Sequence, residues 1–138
     1  MSKILLAFDF GTRSIGVAVG QTLTNTATPL LPSIKVNKGR PDWIKIKKLI
    51  LEWSPEIIIV GLPINMDGSE QVLTIQTRFF SKKLYNIFNI PVHLYDERLT
   101  TVEAKNQLFL NRGYRGLKKS NIDSFAAVLI LESFLLNI

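Results

Sequence analysis

The chain has 138 residues, with 17 lysines and arginines, 11 aspartates and glutamates, and no cysteine. This length predicts a single domain over residues 1–138, and 46% hydrophobic residues are enough to build its core. The lack of cysteine excludes disulfides, a thiol nucleophile and cysteine-bound zinc, and one histidine provides no pair for a histidine-based metal site. The net charge of +6 is compatible with a polyanionic partner such as nucleic acid.

The apolar runs are too short for a membrane span. The longest of them, at 4–10, 56–62 and 125–136, fall short of the roughly 20 residues that such a helix needs. The N-terminus also lacks the apolar stretch and small-residue cleavage site of a secretory signal. We therefore expect a cytoplasmic protein with no membrane partner.

The first third of the chain predicts three antiparallel strands and a helix. Apolar runs at 3–10 and 15–20 are joined by the turn GTRS and predict a hairpin, and a third strand is expected near 32–36. After Asp42, apolar residues recur at helical spacing. This pattern predicts a helix that ends before Pro55.

The rest of the chain predicts strands that alternate with helices. The β-branched run at 56–61 is typical of a central strand, and Ser69 is the expected N-cap of the helix that follows it. A strand is expected at 91–96, followed by helices over 100–113 and 120–136. The order β-β-β-α-β-α-β-α-α predicts an α/β domain with a mixed five-stranded sheet, in which three antiparallel strands precede two parallel ones and helices flank the sheet.

Seven of the eleven acids have ordinary explanations in helix first turns, helix bodies or turns, and four do not. Asp9 interrupts an apolar strand, where an unpaired carboxylate is costly. Asp96 and Glu97 end a strand directly before Arg98, and Asp123 lies in the first turn of the last helix. Structural alternatives are a turn-forming Asp9, an ion pair between one neighbouring acid and Arg98, and a helix-dipole role for Asp123.

Ligand sites in sheets of this kind gather beyond the carboxyl ends of the strands, where Asp9 and Glu97 are expected. The start of the last helix could bring Asp123 to the same place. Three converging carboxylates would form an oxygen-only site of the kind that holds Mg²⁺ or Mn²⁺ for phosphoryl chemistry. The spacing alone does not decide between this site and the structural alternatives.

Four ordered segments resemble the signature blocks of a known family. They read DFGTRSIGVAVG from Asp9, GLPINMDGSE from Gly61, DERLTTVEA from Asp96 and KKSNIDSFAAVLIL from Lys118. Together they resemble the YqgF/RuvX family over almost the whole chain. Its members are bacterial proteins with an RNase H-like fold, described as pre-16S rRNA nucleases and earlier as Holliday junction resolvases.

The resemblance implies a metal-dependent endonuclease that hydrolyses RNA phosphodiester bonds and matures the 5′ end of pre-16S rRNA. By matching position, it assigns catalysis and the binding of Mg²⁺ or Mn²⁺ to Asp9, Glu97 and Asp123. Asp96 and Arg98 would support the site. The chain departs from the family pattern at Gly20-Gln21, where the family often has Ser-Asp, so one auxiliary acid expected near the site is missing.

Cations and one aromatic ring form the expected RNA-binding surface. The segment RGYRGLKK offers phosphate-binding cations, glycines and a tyrosine on which an unpaired base could stack, although a merely solvated basic loop is the alternative. A second basic segment over 35–48 has the same two readings. His93 is expected in the core. The predicted nucleic-acid contacts are Thr12, Arg13, Asn65, Arg98, Arg112, Tyr114, Arg115, Lys118 and Lys119.

Other functions compete with this interpretation. DFGTRS also resembles the phosphate-binding hairpin of the actin and sugar-kinase superfamily, but those proteins need two large lobes and have no DERLTT or NIDSFAA block. A Holliday junction resolvase acting on branched DNA and a non-catalytic RNA-binding ribosome or transcription factor remain alternatives. The expected partner is RNA, with branched DNA as the alternative substrate, and the protein is a monomer or a homodimer.

Overall fold

The computed structural model describes residues 2–100 and 119–138, the second range with side chains from Ile122 onward. The described chain is a mixed sheet with helices on both faces, and the helix predicted from Thr100 falls mostly outside it. The strands are β1 (Ile4–Phe10), β2 (Ser14–Gln21), β3 (Thr26–Asn37), β4 (Arg40–Pro41), β5 (Ile57–Leu62) and β6 (Val92–Asp96). The helices are α1 (Trp43–Trp53), α2 (Val72–Phe88) and α3 (Lys119–Leu136), and a 3₁₀ turn spans Glu97–Leu99. None of the described helices is long and apolar enough to cross a membrane.

The strand order is β4-β3-β2-β1-β5-β6. β1, β2 and β3 pair antiparallel, whereas β5 pairs parallel with both β1 and β6. This arrangement confirms the predicted α/β class and the change from antiparallel to parallel pairing along the chain. It also places the carboxyl ends of β1, β5 and β6 along the same border of the sheet, which we call its carboxyl edge.

The sheet has six strands rather than the predicted five. The additional strand β4 is only two residues long and pairs with the end of β3. Lys38 and Gly39 both have positive φ, at 51° and 77°, and form the tight turn that folds Arg40 back on Asn37. Pro41 is tolerated there because an edge strand need not donate its N–H. β3 itself begins at Thr26, earlier than predicted.

The helix starts follow local side-chain chemistry. The Asp42 carboxylate accepts a hydrogen bond from the Lys45 N–H and caps α1. The predicted N-cap of α2 is wrong, because Gln71 rather than Ser69 caps it. Ser69 instead donates its N–H and hydroxyl to Asp67, at 2.9 and 2.6 Å, and is thereby held in the preceding loop.

Alternation along the strands divides the core into two layers. Leu6 and Phe8 of β1 point towards α1 and α2, whereas Leu5 and Ala7 point towards α3. α3 is buried along most of its length, as its apolar composition predicts. His93 is exposed on the edge strand β6, so its predicted core position is wrong. A histidine on an edge strand can keep one face in solvent, which the apolar pattern of the strand does not reveal.

Candidate active site at the carboxyl edge of the sheet

Asp9 lies between two glycines at the carboxyl end of β1. It is paired with Gly16 across the antiparallel β1–β2 ladder. On the other side, the parallel register pairs Phe8 with Val60, which brings Asp9 level with Gly61. Residues aligned in this way point to the same face, and alternation from Leu5 and Ala7 puts Asp9 on the face covered by α3. The flanking glycines carry no side chains on this face, so atoms of α3 can approach the strands closely on both sides of Asp9.

Asp123 approaches the sheet directly above Gly16. A Cβ atom on Gly16 would lie 1.9 Å from the Asp123 carbonyl oxygen, a distance that no side chain can occupy. The Asp123 carboxylate accepts a short hydrogen bond from the hydroxyl of Ser14, the first residue of β2. Asp123 is the fifth residue of α3, so its predicted place in the first turn is wrong. This part of α3 is held against the strand that pairs with Asp9, and Asp123 lies at the same end of the sheet.

Ser124 anchors α3 to the sheet. The pairing of β2 with β3 shifts register between Ile15 and Val17. There the Ser124 hydroxyl accepts a hydrogen bond from the Val17 N–H at 3.2 Å and donates one to the Leu30 carbonyl at 2.9 Å. The hydroxyl bridges two strands at the irregularity and is fully buried. This contact anchors the residue next to Asp123.

Glu97 reaches the same face from the other side. It follows β6 in the 3₁₀ turn, and its carboxyl carbon would lie 3.3 Å from a Cβ atom on Gly61. Gly61 is the residue level with Asp9, so Glu97 and Asp123 flank Asp9 from opposite sides. All three acids are partly exposed. The structure thus brings the three predicted acids to one edge of the sheet.

Within the described residues, no group of three histidine, cysteine or acidic side chains is already close enough together to hold a metal ion. The backbone therefore brings the three acids to one edge of the sheet, but the Asp123 carboxylate is hydrogen-bonded to Ser14. The donor set consists of carboxylate oxygens, which is the chemistry that Mg²⁺ and Mn²⁺ prefer. The residue types fit such an ion, although their side chains do not form a cluster that could already hold it.

Asp96 and Arg98 form an ion pair beside Glu97. The Arg98 Nη2 lies 2.7 Å from the Asp96 Oδ2, and the Arg98 Nε donates to both carboxylate oxygens. Hydrogen bonding to this guanidinium lowers the pKa of Asp96 below its ordinary value, and the same contact raises the pKa of Arg98. Asp96 therefore has a structural partner, which agrees with the supporting role predicted for both residues.

The loop between β5 and α2 stands beside this ion pair. Its tight turn is closed by hydrogen bonds from the Asn65 N–H to the Ser69 carbonyl and from the Gly68 N–H to the Asn65 carbonyl. Gly68 has φ of 90°, and the Arg98 Nη1 would lie 3.6 Å from a Cβ atom placed on it. The Asn65 amide donates to the Ser69 hydroxyl at 3.0 Å. Asn65 and Arg98 are thus neighbours at the same edge as Glu97.

The other predicted nucleic-acid contacts divide into two groups. Thr12 and Arg13 are exposed in the β1–β2 turn, between Asp9 and the serine that binds Asp123. Lys119 is the first residue of α3. Four candidates lie outside the described residues: Arg112, Tyr114, Arg115 and Lys118.

The substitution at position 21 has less bearing on the site than the sequence comparison predicts. Gln21 pairs with Ile4, whereas Asp9 pairs with Gly16 at the other end of the same ladder. Five residues of β-strand separate the two pairs by roughly 17 Å. The Gln21 side chain accepts a hydrogen bond from the Ser2 hydroxyl at 2.9 Å. The expectation of a missing auxiliary acid near the site is wrong, because position 21 lies at the opposite edge.

The sequence interpretation missed four residues that build the site. Gly16 and Gly61 create the close approach, and Ser14 and Ser124 hold the start of α3. A signal was present for the glycines, since each interrupts a run of apolar strand residues. No signal in the sequence pointed to the serines, because their partners are distant in the chain. Ser14 contacts Asp123, and Ser124 contacts Val17 and Leu30.

Comparison with known proteins identifies the family of the chain. The family model described as RuvX, Holliday junction resolvase, matches residues 3–137. Proteins from Salmonella enteritidis PT4 and Salmonella gallinarum, each named "Putative pre-16S rRNA nuclease", are 57% identical over 134 residues. These alignments cover 97% of this chain and 96% of each relative.

Solved structures resemble the fold at much lower identity. Thermus thermophilus RuvC in complex with a Holliday junction substrate has a TM-score of 0.62 at 15% identity, covering 98% of this chain and 96% of that one. The yeast mitochondrial Holliday junction resolvase Ydc2 has a TM-score of 0.54 at 12% identity, covering 95% and 77%. These likenesses show the fold alone, and they confirm the RNase H-like architecture. Because the family model spans nearly the entire sequence, the chain belongs to the RuvX family.

Proposed function

We propose that this protein is a metal-dependent endonuclease that hydrolyses RNA phosphodiester bonds, with Asp9, Glu97 and Asp123 as its catalytic carboxylates. The observation that carries the proposal is the arrangement around Asp9. Glu97 and Asp123 come from distant parts of the chain and flank it from opposite sides, next to two glycines whose missing side chains let α3 approach the strands closely. Mere structural roles would not require three carboxylates at one edge.

The three acids would hold Mg²⁺ or Mn²⁺ through their carboxylate oxygens. When bound, such ions lower the pKa of a coordinated water and stabilise the charge that develops on phosphate oxygens. Asp9 is fixed by the central strand β1, while Glu97 and Asp123 approach from a 3₁₀ turn and a helix start. Loss of the Ser14 hydrogen bond would free the Asp123 carboxylate to turn towards its neighbours.

The surrounding polar residues would position the substrate backbone. Thr12 and Arg13 are exposed within a few residues of Asp9 and could donate to phosphate oxygens. Arg98 already carries Asp96, so the positive charge it offers a phosphate is reduced. On this basis we assign Arg13 the larger contribution to phosphate binding. Arg112, Tyr114, Arg115, Lys118 and Lys119 complete the proposed contact surface.

The names of the relatives favour pre-16S rRNA as the substrate, and we place the cleavage in the maturation of its 5′ end in the cytoplasm. The family description favours a second candidate, the resolution of branched DNA. Both reactions break a phosphodiester bond and would use the same three acids. They differ in the nucleic acid that the surface around the acids accepts.

The test compares two site variants and one control variant with the wild type on both substrates. Precursor 16S RNA and a four-way DNA junction are incubated with Mn²⁺ or Mg²⁺ and with the wild type, Asp9→Asn, Glu97→Gln or Glu52→Gln. We expect the wild type and Glu52→Gln to cleave the RNA equally, because Glu52 is exposed on α1, away from the site. Asp9→Asn and Glu97→Gln should cleave it about a thousandfold more slowly while remaining folded.

Cleavage of the junction but not of the RNA would favour the resolvase. Wild-type rates in Asp9→Asn would contradict the assignment of the acids. RNA binding without cleavage by any of the proteins would contradict the nuclease and favour the non-catalytic RNA-binding factor.

A further inference from the structure

A second feature lies at the same edge of the sheet, on the face opposite α3. It is a cavity of about 330 Å³ bounded by α1, α2 and the β1–β2 turn, within the size range of small-ligand sites. Four aromatic rings line it, those of Phe10, Trp43, Phe79 and Phe80. Such a concentration of rings around open space at the surface is unusual for a protein with 9% aromatic residues.

Three of the rings form a rigid wall. Phe80 is buried, and its ring centroid lies 5.0 Å from that of Phe10 and 5.6 Å from that of Trp43. These distances and the tilts of about 35° are those of packed aromatic pairs. Because Phe80 is anchored in the core, the walls that Phe10 and Trp43 provide are held in place before any ligand binds.

The fourth ring behaves differently. Phe79 precedes the buried Phe80 on α2, yet 69% of its surface is exposed. An exposed phenylalanine leaves a large apolar area in water, which costs free energy unless something covers it. Its ring stands at the rim of the cavity, where a flat ligand could stack against it.

Polar groups at the rim indicate what kind of ligand would fit. Gln76, Phe79 and Lys83 follow one another at helical spacing and all line the cavity. The Lys83 Nζ lies 5.5 Å from the centroid of the Trp43 ring. An amide can pair with the donor and acceptor edge of a nucleobase, and an ammonium can bind the adjoining phosphate. An apolar ligand would use neither group.

The position of the cavity connects it with the three acids. Phe10 directly follows Asp9 on β1, and successive strand residues point to opposite faces. Thr12, in the turn beyond, also lines the cavity. A strand whose phosphate lies at the acids could therefore place a neighbouring base around the edge of the sheet and into the cavity.

We propose that this cavity binds one unpaired nucleobase of the substrate strand, stacked between Phe79 and the fixed aromatic wall. The identity of the strand rests on the proposed nuclease function. The cavity would accept a base from a single-stranded or locally unpaired segment, because bases inside a duplex remain stacked on one another and cannot enter. Gln76 would contact the edge of the base and Lys83 its phosphate.

The test measures binding separately from cleavage. Fluorescence anisotropy is recorded in EDTA with the full-length protein and ten-nucleotide single strands of RNA and of DNA, each also prepared with one abasic position in turn. We expect Phe79→Ala and Phe79→Leu to weaken binding by about tenfold, because leucine retains apolar area but has no ring. Phe79→Tyr should bind like the wild type. Ile87→Ala, which removes a half-exposed apolar side chain elsewhere on α2, should have no effect.

The abasic strands supply the decisive comparison. At one position, removal of the base should weaken binding to the wild type and leave Phe79→Ala unchanged. The proposal would be overturned if Phe79→Ala bound the intact strand and every abasic strand more weakly than the wild type by the same factor. It would also be overturned if Phe79→Leu bound with the wild-type affinity. Comparison of RNA with DNA shows whether the sugar contributes.

The two proposals can fail independently. If Asp9→Asn abolishes cleavage while Phe79→Ala binds normally, the base site is wrong and the nuclease stands. If binding depends on Phe79 and on one base but no cleavage occurs, the nuclease is wrong and the base site stands.

Discussion

The two faces of the sheet are packed in opposite ways around Asp9. On the face of α3, Gly16 and Gly61 allow the helix backbone and the Ile130 side chain to approach the strands closely. On the other face, large rings from Phe10, Phe80 and neighbouring residues separate the sheet from α1 and α2 and leave a cavity. The glycines allow close packing that fixes the position of α3, whereas the aromatic rings on the other face leave a cavity between them.

We infer that the two faces serve different purposes, the binding of a metal ion by the acids on one and the stacking of a base on the other. Acids that share an ion must be held within narrow limits, and a helix seated on glycine meets that need. A stacking site needs open space between flat surfaces, which close packing would remove. The single strand β1 serves both, since Asp9 faces one layer and Phe10 the other.

The largest effect is expected from Gly16→Ala, which disrupts the close packing of α3 on the sheet. Gly16→Ala puts a methyl group where the Asp123 carbonyl now lies, so α3 must move away. We expect the free energy of unfolding, measured with urea, to fall by about 3 kcal/mol or more, with loss of cleavage in the protein that remains folded. The contact is with backbone, which cannot rotate out of the way.

Gly61→Ala provides the contrast for this variant. Its added methyl group would meet the end of the Ile130 side chain at 2.4 Å, and a side chain can adopt another rotamer. The loss of stability should therefore be smaller, about 1 kcal/mol. A larger loss in Gly61→Ala than in Gly16→Ala would contradict the claim that the α3 backbone rests on Gly16.

A smaller effect is expected when the anchor of α3 is removed. Ser124→Ala leaves the Val17 N–H and the Leu30 carbonyl without the hydroxyl that bridges them. The free energy of unfolding should fall by about 1–3 kcal/mol, the cost of unsatisfied buried groups. Ser33→Ala is the control, because that hydroxyl makes a longer hydrogen bond, to the Ser124 hydroxyl at 3.4 Å, and its loss should cost under about 1 kcal/mol. Equal losses would argue against the bridge.

Local patterns predicted much of the fold correctly. Helical spacing before Pro55 predicted α1, and the β-branched run predicted the buried strand β5. The short strand β4 could not be predicted in this way, since it depends on two positive φ angles in succession. Ser69 was misassigned because Asp67 competes for its N–H, and sequence spacing does not show which of two polar partners wins.

The candidate site was predictable in its acids and unpredictable in its supports. Asp9, Glu97 and Asp123 were among the four acids without an ordinary structural explanation, and the family resemblance selected these three. Ser14 and Ser124 could not be identified, because their importance arises only when α3 packs on the sheet. The exposure of Phe79 was equally hidden, since periodicity alone assigns both neighbouring phenylalanines to an apolar helix.

The location of bound Mn²⁺ tests the central claim most directly. Crystals of the protein soaked in Mn²⁺ would be measured at a wavelength where manganese scatters anomalously. We predict an anomalous peak at the carboxyl edge of the sheet with ligands from Asp9, Glu97 and Asp123, and its loss in Asp9→Asn. Peaks only at other acids, at a Mn²⁺ concentration that supports cleavage, would contradict the account.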